Sequence, residues 1–113
     1  MKNVFLTFIK FVFIAFLFIS TANASVSNAN VKVTYVGNYA DGRLFIVVDK
    51  QLDPTCANSS WIVLAANHVA KKEIHSNALA ALMADRFVDL NTSCNTASSV
   101  AEITAPGDYF IVK

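Results

Sequence analysis

Two cysteines are the most reactive side chains in this sequence of 113 residues. Cys56 and Cys94 allow one intramolecular pair, and an even cysteine number is typical of a disulfide when a chain reaches an oxidising compartment. A redox-active pair would have the Cys-x-x-Cys spacing, which these two residues lack. We therefore predict a structural disulfide between Cys56 and Cys94, with free or intermolecular thiols as the alternative.

The two histidines, His68 and His75, are seven residues apart, with Glu73 between them. Two histidines do not complete a metal site, so Glu73 or Asp85 would have to supply a third ligand. Neither the histidine pair nor the cysteine pair has the spacing of a zinc site. We predict that both histidines lie in solvated loops and that the protein binds no metal.

The serines and carboxylates do not indicate a hydrolytic site. A serine nucleophile of the Gly-x-Ser-x-Gly type needs flanking glycines, and glycine occurs only at positions 37, 42 and 107. Asp49 and Asp53 fall in a predicted loop, where a solvated carboxylate is the ordinary case. A glycine-rich phosphate cradle is also missing from the sequence. We predict that the protein is not an enzyme and carries no cofactor.

A cluster at a predicted hairpin tip indicates binding instead. Tyr39, Asp41 and Arg43 place an aromatic ring and two opposite charges on a turn, and rigid scaffolds often present binding groups on such loops. We predict a ligand-binding site there, for a carbohydrate or a protein, with ordinary turn polarity as the alternative. Trp61 opens a predicted strand and is expected to pack in the fold or in an interface rather than against a sugar.

The first 24 residues have the pattern of a secretory signal peptide. Lys2 and Lys10 supply positive charge, residues 11–19 are an unbroken apolar run, and Ala-Asn-Ala at 22–24 is a small-residue cleavage pattern. The run is shorter than the about 20 apolar residues that span a bilayer. We predict cleavage after Ala24 and a bacterial protein that is secreted or periplasmic and leaves the membrane; an uncleaved anchor is the alternative.

Residues 25–113 are expected to form one domain with a net charge of about −1. Nucleic-acid binding needs clustered Lys and Arg to displace counterions, so this charge argues against that class. The basic pair Lys71-Lys72 is expected in a solvated turn rather than in a phosphate site.

Period-two alternation predicts a series of short strands. The predicted strands cover residues 31–35, 43–48, 61–64, 98–104 and 109–112, and a further strand starts at residues 87–90 and leads to Cys94. Asp41-Gly42 predicts a tight hairpin between the first two, because both central residues of the favoured turn adopt positive φ. Residues 25–30 are expected to be a polar leader, and residues 49–60 a loop.

One short helix is predicted over residues 77–85. Ser76 can cap its first turn, and Leu79, Leu82 and Met83 share one face. The order β-β-β-α-β-β is that of the five-stranded Greek-key barrel called the OB-fold, in which the helix would fill one end with these three side chains. A small α+β sandwich, with the helix across an antiparallel sheet, is the alternative.

Several segments resemble a toxin family. They are the hairpin Asp41-Gly42-Arg43, the run Asp53-Pro54-x-Cys56, the helix from Ser76 to Ala84, and the segments ending in Cys94 and Ile103. Together they are similar to the binding (B) subunits of subtilase-cytotoxin and pertussis-like AB5 toxins and related exported bacterial proteins. The likeness covers most of residues 31–104 and has one departure, Asp85-Arg86 in place of a Gly-Lys-type turn.

That resemblance implies an OB-fold, a ring of five copies and binding of surface glycans, but it assigns no sugar-contacting residue. The predicted function is therefore an exported, non-enzymatic binding module for a surface glycan or a protein partner, able to form a homo-oligomer. A periplasmic protein–protein or inhibitor module is the alternative.

Overall fold

Six strands and one helix are formed by the residues that the computed structural model describes, which are 25–104 and 106–113. They are β1 (Val26–Asn38), β2 (Leu44–Val48), β3 (Asn58–Leu64), α1 (Lys71–Met83), β4 (Phe87–Asn95), β5 (Val100–Glu102) and β6 (Tyr109–Val112). The signal peptide predicted for residues 1–24 lies outside the described residues.

Strand alternation sends one set of side chains inward and the other outward. In β2, Leu44, Ile46 and Val48 are buried, whereas Phe45 and Val47 between them are half-buried on the outer face. Successive strand side chains point to opposite faces, so this pattern produces one apolar layer inside the sheet.

The sheet closes into a barrel with the strand order β1-β2-β3-β5-β4 and a return pairing from β4 to β1. The β3–β5 pair is parallel and the other pairs are antiparallel. This is the closed five-stranded barrel of an OB-fold-like protein. It confirms the predicted fold class over the sandwich alternative.

β1 makes closure possible because it serves two neighbours. Its first part pairs with β4, beginning at Val26↔Thr92, and its second part pairs with β2, ending at Asn38↔Leu44. The register of the β1–β4 pair shifts between Asn28 and Val31, and Asn30 there has φ 56°. Pairing with β4 continues to Lys32, and pairing with β2 begins at Val33, with a second register shift between Val33 and Tyr35. Such bulges bend a strand, so β1 turns on both sides of its change of partner.

Residues 26–30 therefore form strand rather than the predicted leader, because backbone pairing with β4 needs no apolar side chains. β4 runs from Phe87 to Asn95 and therefore carries Cys94, as predicted, and β5 pairs with its last three residues. β6 pairs with residues 88–91 of β4 and so extends the row of strands that β5 begins along β4.

The helix differs from the prediction in both position and face. It begins at Lys71, with Ala70 as a cap that has no side-chain hydrogen bond, so Ser76 lies inside the helix and caps nothing. The residues that it buries are Ile74, Ala78 and Ala81.

Of the three side chains predicted to fill the barrel end, only Leu82 packs against the core, where it is partly buried. Leu79 is 37% exposed and Met83 is 84% exposed. The prediction gave the buried face to the largest side chains, whereas small alanines let the helix backbone approach the barrel closely.

None of the helices in the described residues is both long enough and apolar enough to cross a bilayer.

Cys56 and Cys94 form the predicted disulfide, with their Cα atoms 5.9 Å apart. Cys56 precedes β3 and Cys94 lies in β4, where it pairs with Ala101 of β5. β5 is only three residues long, so the disulfide reinforces the part of the barrel that has the fewest backbone pairings. Disulfides are typical of proteins outside the cytoplasm.

Removing this disulfide will lower stability. The bond joins residues 38 positions apart, and the chain-entropy model gives a loss of roughly 3–4 kcal/mol for a loop of that size. We expect the variant Cys56→Ala/Cys94→Ala to unfold at clearly lower urea concentration than the wild type. A reductant should move the wild type toward the variant and leave the variant unchanged; a wild-type midpoint that ignores reductant would contradict the prediction.

Candidate functional site

Three aromatic rings form a row on the outside of the barrel, which we term the ring row: Tyr39, Phe45 and Trp61. The centroids of Tyr39 and Phe45 are 5.1 Å apart, and those of Phe45 and Trp61 are 5.2 Å apart. Contacts at this distance between tilted rings are favourable, so each ring restrains the next.

Strand register explains why the rings meet. Phe45 points outward from β2 and lies opposite Gly37 of β1. Trp61 points outward from β3, opposite Val47, and so lies diagonal to Phe45. Diagonal neighbours on one face of a sheet are within reach of aromatic side chains.

Gly37 leaves room for the Phe45 ring, which lies across it. A Cβ built on Gly37 would collide with the end of that ring and would lie 2.8 Å from its Cε1 atom. Glycine therefore lets Phe45 cover the backbone of β1. The covered residue is two positions before Tyr39, at the end of the hairpin.

The hairpin tip is a three-residue loop rather than the predicted two-residue Asp-Gly turn. The N–H of Gly42 donates to the carbonyl of Tyr39 at 3.0 Å, and the N–H of Tyr39 donates to the carbonyl of Arg43 at 2.8 Å. Gly42 has φ 92°, whereas Asp41 is not among the residues with positive φ. A turn followed by a left-handed glycine is the usual three-residue alternative, and glycine alone adopts it without strain.

The tip brings together the three residues predicted as a binding cluster. Arg43 donates to the Asp41 carboxylate through Nε at 2.8 Å and through its backbone N–H at 3.1 Å. Its guanidinium lies 4.5 Å from the centre of the Tyr39 ring, a cation–π distance. The backbone bond from Arg43, and then its guanidinium, hold the pKa of the Asp41 carboxyl below its ordinary value.

Both ends of the ring row are open to solvent. Tyr39 is 37% exposed and Trp61 is 39% exposed, and Tyr35 on the same outer face is 68% exposed. Within the described residues, the Tyr39 hydroxyl and the Trp61 indole N–H are engaged in no side-chain hydrogen bond. An incoming ligand can therefore use both the rings and their polar groups.

Sequence reasoning missed Phe45 and gave Trp61 a packing role. Phe45 alternates with the buried Leu44 and Ile46, so its outward direction was readable from the strand pattern. Its distance to Tyr39 and Trp61 was not, because that depends on the register between three strands.

The histidines have structural surroundings rather than the predicted solvated loops. His68 is half-buried, with Nε2 2.6 Å from the carbonyl of Ile103, and its Nδ1 accepts the N–H of Ala70 at 3.1 Å. His75 lies within α1. Among the described residues, no group of three His, Cys, Asp or Glu side chains is placed to hold a metal ion.

A cleft of about 390 Å³ lies between the start of α1 and the turn before β6. Asp108 lines it, but this carboxylate accepts bonds from the Thr104 N–H at 3.0 Å and the Ser93 hydroxyl at 2.8 Å. Burial raises the pKa of Asp108, but these hydrogen bonds outweigh burial and hold it below its ordinary value. Asp108 thus serves the turn, and the ring row is the better candidate site.

Comparison of the chain with protein-family models, with curated proteins and with solved structures found no match. Function is therefore inferred from the geometry of the ring row and the hairpin tip.

Substituting Gly37→Ala will displace the Phe45 ring and disturb the row. The new Cβ meets the far end of a half-buried ring, which can move aside, so we expect a lower urea midpoint but a cost below the roughly 1–3 kcal/mol of overpacking in a closed core. Trp61 is the single tryptophan, so its fluorescence should shift as its contact with Phe45 changes. The double variant Gly37→Ala/Phe45→Leu should be nearly as stable as Phe45→Leu alone, because the ring that meets the new Cβ is absent. An unchanged urea midpoint and fluorescence in Gly37→Ala would show that the Phe45 ring is not held over residue 37.

Proposed function

We propose that this protein is an exported, non-enzymatic binding module whose ring row and hairpin tip bind a surface glycan. The observation that carries the proposal is the exposed row of three rings, which ends at the Asp41–Arg43 ion pair. Aromatic faces pack against the C–H faces of sugars, and charged groups beside them bind hydroxyls.

The ion pair retains hydrogen-bonding capacity for a ligand. A carboxylate has about four lone-pair sites and Asp41 uses two of them for Arg43, while a guanidinium has five N–H donors and Arg43 uses one for Asp41. A sugar hydroxyl can donate to the first and accept from the second.

Export is supported by the disulfide, by the pattern of residues 1–24 and by the resemblance to exported proteins. The disulfide is typical of a non-cytoplasmic compartment. The pattern of residues 1–24 predicts a signal peptide, and the resemblance to toxin B subunits implies the same destination, either secreted or periplasmic.

Removing either exposed ring will weaken glycan binding. We expect Tyr39→Ala and Trp61→Ala each to lose about tenfold in affinity, as for a central aromatic contact of a binding surface. Tyr109→Ala is the matched control, because Tyr109 is 39% exposed on β6 and lies outside the row. The measurement is a glycan array with the wild-type protein, followed by titration of its strongest ligand.

A silent array would count against the glycan. If the wild type binds no glycan but inhibits a cell-wall-degrading enzyme such as a lysozyme, the function is instead that of a periplasmic protein–protein module. Loss of that inhibition in Trp61→Ala, but not in Tyr109→Ala, would assign the same surface to a protein ligand.

Assembly of several copies is a second, separable proposal, and it rests on apolar side chains outside the ring row. Met83, at the end of α1, is 84% exposed, and Phe87 and Ile111 are exposed on the neighbouring strands β4 and β6. Exposed apolar side chains grouped on one part of the surface are typical of subunit interfaces.

A closed assembly of five copies is expected to show directly in the native mass of the protein. We expect the protein after removal of residues 1–24 to give five times the protomer mass, and Met83→Glu to shift the population toward smaller species. Leu79 is a helix residue of intermediate exposure, so Leu79→Gln serves as a milder variant of the same surface. A single protomer mass at every concentration would contradict assembly and leave the glycan proposal standing.

A further inference from the structure

The hairpin tip is tied to the start of the helix by a single lysine. Lys71 Nζ donates to the carbonyl of Gly42 at 2.9 Å, in a partly buried position that joins residues 29 apart. Its neighbour Lys72 is exposed and makes no side-chain hydrogen bond within the described residues. The basic pair is therefore not the solvated turn that the sequence predicted.

This bond acts on the residue that closes the loop. The N–H of Gly42 is used inside the tip by Tyr39, so the Lys71 ammonium engages the other side of the same residue. Bonds from a charged donor are about twice as strong as neutral ones. Gly42 also faces Ala66, whose Cβ would lie 3.4 Å from a Cβ built on the glycine. The tip is thus held from outside as well as by its own turn.

The start of the helix is itself anchored on the opposite side. His68 meets the carbonyl of Ile103 at the end of the β5 segment, and its ring accepts the Ala70 N–H. The N–H of Lys71 donates to the carbonyl of His68 at 3.2 Å. The segment from His68 to Lys71 therefore bridges the β5–β6 side of the barrel and the tip, so Lys71 presents its ammonium from a fixed backbone.

We propose that Lys71 is a positioning residue for the glycan site: by holding Gly42 it keeps Tyr39 and Arg43 in one arrangement before the ligand arrives. This inference rests on the proposed glycan-binding function. Lys71 touches no ligand; its contribution is preorganisation, which raises affinity by reducing the ordering cost of binding.

The tether itself is tested without any ligand, by amide hydrogen exchange at Tyr39 and Gly42. Lys71→Met retains the apolar stem and removes the donor, and we expect roughly tenfold faster exchange at these two amides. Lys72→Met is the matched control and should change neither amide. Lys71→Arg restores a charged donor and should return exchange to near the wild-type rate. Equal exchange in all four proteins would overturn the tether.

Affinity for the array-selected glycan then tests positioning. We expect Lys71→Met to bind several-fold more weakly while remaining folded, with only a small fall in the urea midpoint, and Lys71→Arg and Lys72→Met to stay close to wild type. If the wild type binds the glycan and Lys71→Met binds it with the same affinity, the positioning role is overturned and the glycan proposal stands. A wild type that binds no glycan would overturn the proposed function, and the exchange result would still decide whether Lys71 holds the tip.

Discussion

The two-sided pairing of β1 is the constraint on which the rest of this fold depends. A sheet of five strands has two edges, and it loses both only if one strand reaches the neighbours at each side. β1 does this by pairing with β4 as far as Lys32 and with β2 from Val33 onward, with one bulge on each side of the change of partner. Closure fixes the registers of β2 and β3, so the direction of every outward side chain on those strands follows from it.

Two parts of the closed barrel need support from outside the strand pairing: the short strand β5 and the end of the barrel near the helix. The β3–β5–β4 region depends on a strand of three residues, and the Cys56–Cys94 bond crosses it. The helix supplies Ile74, Ala78 and Ala81 to the buried layer. Covalent linkage and small side chains thus complete a barrel whose core is made chiefly of short aliphatic residues.

The candidate site uses the outer surface of the strands whose inner surface forms the core. Phe45 crosses Gly37, meets Trp61 on one side and Tyr39 on the other, and Arg43 covers Tyr39. A surface built on rigid strands loses little conformational entropy when a ligand binds. The hairpin tip, which is held by its own turn, receives an additional bond from Lys71.

Alternation, turn residues and cysteine number were enough to predict the strand series, the hairpin near Asp41, the disulfide and the barrel class. These signals depend on neighbouring residues or, for the cysteines, on there being a single possible pair. Three features were beyond them: the buried face of α1, the row from Tyr39 to Trp61, and the Lys71–Gly42 bond. Each joins elements distant in sequence, so its geometry was set when the barrel closed and strand register and helix placement became fixed together.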